Sequence, residues 1–123
     1  MISINTVIFI LAIHWFADFV MQTDKQAKGK SRQWKWLLSH TATYSLFWFI
    51  PILIIFNLNV LSAIYFVLIT FVIHTAQDYV TSRINSRLHQ QNKIHEFFVS
   101  VGFDQLLHFI QLLLTYNILH ENL

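Results

Sequence analysis

Read for hydrophobic and polar positions, the chain divides into four long apolar stretches separated by shorter polar ones. The stretches run from about Ile4 to Met21, Trp36 to Phe56, Val60 to Val80 and Phe97 to Leu119. Each has roughly the 20 residues that an α-helix needs to cross the hydrocarbon of a bilayer. The second and third are separated only by Asn57-Leu58-Asn59, a turn that makes antiparallel neighbours of them. Pro51 lies inside the second, where lipid tolerates a kink. The pattern predicts an all-α integral membrane four-helix bundle, one domain over residues 1–123.

Composition agrees. Hydrophobic residues make up 55% of the chain and charged residues 11%, against about 25% charged in an ordinary soluble domain. Two glycines and one proline leave little punctuation for strands and tight turns. The absence of cysteine excludes disulfides and thiolate metal ligation. The first stretch lacks the basic n-region of a signal peptide and carries His14 and Asp18, so it reads as a retained helix.

Charge sets the orientation. Lys25, Lys28, Lys30, Arg32 and Lys35 lie in the first connection, and Arg83, Arg87 and Lys93 in the third; these are all eight Lys and Arg residues. The positive-inside rule places both connections in the cytoplasm and both termini outside. The third connection, Ser82 to Phe97, reads either as a solvated loop or as a segment on the membrane surface through Ile84, Leu88 and Ile94. A net charge of +2 is too small to suggest a nucleic-acid partner. The expected partners are membrane lipid and a lipid-linked substrate, and so small a bundle suits a homo-oligomer.

Polar groups recur within the apolar stretches. His14 and Asp18, His74 and Asp78, and Asp104 and His108 are pairs at a spacing of four, which puts both members on one helix face. His40 and Tyr44 share that spacing in the second stretch. IHWFADFV and IHTAQDYV repeat Ile-His-x-x-x-Asp-aromatic-Val, as two pseudo-repeated helical hairpins would. At 1.5 Å per residue, His14 lies roughly 12 Å and Asp18 roughly 6 Å inside the cytoplasmic end of the first span. The other groups fall in the same half although chain direction alternates. His89, His95 and His120 are expected in solvent.

A charge buried in lipid costs at least about 2.5 kcal/mol, and three aspartates there need neutralising. A divalent metal does this and also accepts neutral imidazole, so His14, His40, His74, His108, Asp18, Asp78 and Asp104 are candidate ligands for one or two Zn, Mn or Fe ions. The favoured function is a metal-dependent hydrolase acting on a lipid or lipid-linked substrate near the cytoplasmic face. The metal would acidify a bound water and polarise a phosphoryl or acyl group. An aspartate that is not a ligand (Asp18, Asp78 or Asp104) would act as general base, and Tyr44 or a loop lysine would stabilise the leaving group. Gln22, Gln105, Lys25 and Lys28 are assigned to the substrate, the lysines holding an anionic headgroup or phosphate. The same residues also suit a metal-ion or proton transporter or channel subunit, a di-iron oxidative enzyme, or a non-enzymatic subunit whose His–Asp pairs glue helices together. Bis-histidine haem ligation fits less well, since haem has no use for three carboxylates.

His14-x-x-Ala17-Asp18-Phe19-x-x-Gln22, a lysine-containing loop, His40-x-x-x-Tyr44, His74-x-x-x-Asp78 and Asp104-Gln105-x-x-His108 together resemble a family of small bacterial membrane proteins, the DUF3307 domain of unknown function. The resemblance covers nearly the whole chain. It implies a multi-pass protein of a prokaryotic cytoplasmic (inner) membrane and carries no activity with it.

Overall fold

The structure, a computed structural model describing residues 2–122, is helical throughout its ordered elements. Helix α1 spans Ile4–Trp15 and runs directly into a π-helical turn, Phe16–Val20. A short α2 (Asp24–Gly29) leads to α3 (Trp34–Phe47) and α4 (Phe49–Ile55), then α5 (Val60–Gln90) and α6 (Ile94–Glu121). Three segments are long and apolar enough to cross a membrane: Trp34–Ile55, Val60–Gln90 and Ile94–Glu121. The first apolar helix, Ile4–Val20, is shorter.

Local chemistry explains the boundaries. Ser3 caps α1 by accepting from the Thr6 amide, and Asn59 caps α5 by accepting from the Ser62 amide. The break between α3 and α4 at Trp48 lies three residues before Pro51. The proline ring clashes with the carbonyl four residues back, which is that of Phe47, so one helical segment bends there. The expected turn after α4 forms with Asn57 and Leu58 at φ 50° and 65°. Leucine seldom adopts this left-handed conformation.

The third connection is largely helical rather than a loop. Helix α5 continues to Gln90, the chain turns at Asn92 (φ 55°), and α6 begins at Ile94. Between Val60 and Val101 there is no proline or glycine to end a helix. The 31 residues of α5 extend about 46 Å, well beyond a hydrocarbon core of about 30 Å.

Helices α5 and α6 pack along each other; α3 and α4 lie on α5, α1 lies on α6, and α2 on α3. The outward surface is apolar, including Ile8, Leu46, Ile54, Leu68, Val72 and Leu114, whereas the interior holds His14, His40, His74, His108, Asp18 and Asp78. A soluble monomer rarely exposes an apolar patch above a few hundred Å². Lipid as solvent reverses that constraint. An apolar layer of Ile10, Trp48, Ile52, Phe56, Phe66 and Leu112 closes one end of the interior, and the histidines and aspartates occupy the other.

Candidate metal centre

The π-helical turn shapes the first face of the site. The Met21 amide donates to the Phe16 carbonyl, five residues back, in the wide turn characteristic of π-bulges at functional sites. Ala17 and Asp18 turn inward while Phe16 and Phe19 remain outside. Helix α3 supplies His40, α5 supplies His74 and Asp78, and α6 supplies Asp104, Gln105 and His108. All the histidines and aspartates among these are buried.

Two donor sets share Asp78. The first comprises Asp18, His40, His74 and Asp78, and the second Asp78, Asp104 and His108. His40 Nε2 lies 3.0 Å from Asp18 Oδ1, 3.3 Å from Asp78 Oδ2 and 3.3 Å from His74 Nε2. His74 Nε2 lies 3.7 Å from Asp18 Oδ1 and 3.5 Å from Asp78 Oδ2. Ligands 2.0–2.1 Å from a tetrahedral zinc sit roughly 3.3–3.4 Å apart, so these five separations are those of a tetrahedron's edges. Direct hydrogen bonds satisfy only part of this cluster, because His40 Nε2 has at most one proton for the two carboxylate oxygens and the imidazole nitrogen around it.

The second set is marked by atoms without partners. His108 Nδ1–H donates to the Asp104 backbone carbonyl at 2.7 Å, which in the neutral ring leaves Nε2 as a bare lone pair. That nitrogen points at Asp78 Oδ1, 3.4 Å away. It is buried without a hydrogen-bond partner, as are Asp104 Oδ1 and, in the first set, Asp18 Oδ1. A lone pair facing a carboxylate oxygen is repulsive, and either a proton on the ring or a metal cation between them makes the contact attractive. The residues therefore fit a divalent ion by donor type, spacing and orphaned atoms. Four donors in the first set suit a closed site; three in the second suit an open one, and a shared carboxylate is familiar in two-metal sites.

Not every expected ligand joins these sets. Gln105 Nε2 donates to Asp104 Oδ2 at 3.2 Å and reaches Asp18 Oδ2 at 3.5 Å, which turns its Oε1 toward His14. His14 Nε2–H donates to that oxygen at 2.8 Å, and the Tyr44 hydroxyl donates to His14 Nδ1 at 2.7 Å. Both His14 nitrogens are thus engaged, and His14 braces Gln105 from outside the two sets. Tyr44 stacks on His74 with centroids 4.0 Å apart.

A cavity of about 730 Å³ adjoins the centre, lined by the buried Asp18 and Asp104, by Gln105 and Lys30, and by the exposed Lys28 and Arg32. Gln22 lines it as well, while Tyr44 does not reach it and Lys25 is exposed elsewhere. His89, expected in solvent, is exposed but stands in the cavity wall.

The residue that sequence reasoning left in the topology-setting group is Lys30. Its Nζ donates to Asp78 Oδ2 at 2.8 Å, with 18% of the side chain exposed. Burial disfavours the ammonium, but the Asp78, Asp18 and Asp104 carboxylates outweigh it and hold its pKa above the ordinary lysine value. Thr23 and Gln26 form a capping box at the start of α2, and Gln26 also donates to Ser39 on α3. A Cβ on Gly29 would run into the Trp36 ring, so glycine permits the close approach that delivers Lys30 to Asp78. With neutral imidazoles, the three carboxylates and one ammonium leave two negative charges, which one divalent ion balances. Two unit charges 4 Å apart repel by about 4 kcal/mol at an effective dielectric of 20, so the Lys30 contact and an ion on the same oxygen are alternatives.

The family model for proteins of unknown function DUF3307 matches residues 6–123. The chain belongs to this family. The match takes in every residue of both donor sets and all the cavity walls of this DUF3307 protein. No curated protein and no solved structure matches the chain.

Proposed function

We propose that this DUF3307 protein is a four-span membrane protein of the prokaryotic cytoplasmic membrane, both termini outside, and a metal-dependent hydrolase of a lipid or lipid-linked substrate. The observation that carries the metal reading is the pair of donor sets sharing Asp78, in which Asp18 Oδ1, Asp104 Oδ1 and His108 Nε2 lack hydrogen-bond partners. The complete bias of Lys and Arg to one side supports the orientation. Hydrolysis is supported by the three-donor set, whose Asp104 lines a cavity large enough for a lipid headgroup.

A divalent ion bound there supplies Lewis acidity, lowering the pKa of water toward neutrality and drawing charge from a phosphoryl or acyl oxygen. The protein's own groups supply the rest. His108 is held in one tautomer by the Asp104 carbonyl, and Gln105 ties Asp104 to Asp18. With the ion held by Asp78, Asp104 and His108, Asp18, which also lines the cavity, is left to take a proton from the attacking water. Of the candidates for stabilising the leaving group, the loop lysines border the cavity and Tyr44 does not.

The contact between Lys30 and Asp78 favours a second reading. An ammonium on that oxygen lets the polar core persist without metal, as a proton or cation pathway would require. The two readings separate in proteoliposomes and in detergent. Turnover of a short-chain lipid phosphoester or ester that stops on chelation and returns with metal, without metal or proton flux, supports the hydrolase. Flux without turnover supports the pathway and overturns the hydrolase.

A further inference from the structure

The cavity carries charge of both signs. Of the residues lining it, Asp18 and Asp104, the groups suited to a cation, are buried, Lys28 and Arg32 are exposed, and Lys30 reaches inward to Asp78. Among the described residues lining it, Asp18 and Asp104 are the only acids. A cavity with buried acids and an exposed cationic rim suits a ligand that bridges a metal and the rim, which calls for an anion with several oxygens.

We propose that the cavity binds a phosphoryl group, with Lys28 and Arg32 holding its outer oxygens and Lys30 joining them when metal takes Asp78. This deepens the hydrolase reading, on which it rests for the inner partner. Arginine's planar fork grips phosphate through two parallel hydrogen bonds, and lysine contributes a point charge. Ser82 adds a hydroxyl with no partner within the protein, in the wall formed by α5. A carboxylic ester carries no net charge and would leave this rim without a role.

The lining also has apolar members, Phe19, Phe97 and Val101. A ligand presenting phosphate to the basic residues and hydrocarbon to these side chains is amphiphilic. A lipid phosphate has both parts; a soluble phosphate ester has only the first.

The test uses the full chain in maltoside micelles, with metal content measured on the same samples. Dioctanoyl phosphatidate, inorganic phosphate and dioctanoylglycerol are each titrated by calorimetry against the parent and the Lys28→Gln/Arg32→Gln double variant. Both side chains are exposed, so their replacement removes charge without disturbing the packed interior. Phosphatidate should bind the parent and bind the double variant about tenfold or more weakly, the loss of two charge-assisted contacts. Dioctanoylglycerol should bind neither well. Inorganic phosphate binding as tightly as phosphatidate supports the phosphoryl site and assigns it to a soluble ester; much weaker binding assigns it to a lipid. Equal phosphatidate affinity for parent and variant, or equal affinity for dioctanoylglycerol, overturns the proposal even if metal is stoichiometric. Rim-dependent phosphatidate binding by protein that holds no metal leaves the phosphoryl site standing and overturns the metal reading instead.

Discussion

Replacing Asp78 by asparagine removes the one side chain that both donor sets share. Its oxygens lie 3.3 Å from His40, 3.5 Å from His74, 3.4 Å from His108 and 2.8 Å from Lys30. Structural zinc sites bind with about 10–16 kcal/mol, so each of four ligands carries roughly 3 kcal/mol, or about a hundredfold in affinity. The Asp78→Asn substitution keeps the shape but loses the charge, and should weaken both sets at once. His74→Ala touches only the four-donor set and Asp104→Asn only the three-donor set. Equilibrium dialysis against Zn²⁺ or Mn²⁺, followed by elemental analysis, should show each of these losing one class of site while Asp78→Asn loses both. Asp78→Asn also strands the Lys30 ammonium, at a cost of up to about 3 kcal/mol of stability in the metal-free protein. Adding Lys30→Met should recover most of that stability and none of the metal binding. Parent-like metal content in Asp78→Asn would refute the shared-ligand reasoning.

Lys30→Met alone should tighten metal binding, by about tenfold or more, since it removes a competing charge from Asp78; dialysis at limiting metal reads this directly, and unchanged affinity would contradict the competition between ammonium and ion. Gly29→Ala should force α2 away from Trp36 and withdraw Lys30, giving the same tightening in metal titrations together with a lower Tm. Gln105→Leu should release His14 and unpair Asp104 within a buried network, lowering stability by about 1–3 kcal/mol in thermal unfolding while metal binding falls less than in Asp78→Asn. Because the chain has no cysteine, single cysteines at Asn57 and Asn92 report orientation: an impermeant maleimide added to intact cells should label Asn57→Cys and spare Asn92→Cys, and the reverse pattern would invert the topology.

Much of this arrangement is visible in spacing. The four-residue interval within the His14, His74 and Asp104 pairs places each on one face, and burial of carboxylates in an apolar helix demands a common neutralising partner. That logic brought Asp18, His40, His74, Asp78, Asp104 and His108 together. It did not separate the donor sets from their braces: His14 stands aside because Gln105 turns its amide oxygen toward it, a choice made by two carboxylates on other turns of the bundle. Nor did spacing single out Lys30 from its basic neighbours. That depends on the α2 capping box and on Gly29 meeting Trp36, contacts that form only in three dimensions. The helical run from Val80 to Gln90 was hidden for a different reason, since polar residues there mark the end of an apolar stretch without ending the helix.

The hydrolase reading turns on whether the buried histidines and aspartates hold metal. Elemental analysis of protein purified in mild detergent, without added metal or chelator, tests it most directly. One or two equivalents of a divalent transition metal per chain, lost in Asp78→Asn with the fold intact, is the predicted result. A folded parent protein with no stoichiometric metal, and no change in Tm on adding a chelator, would contradict it.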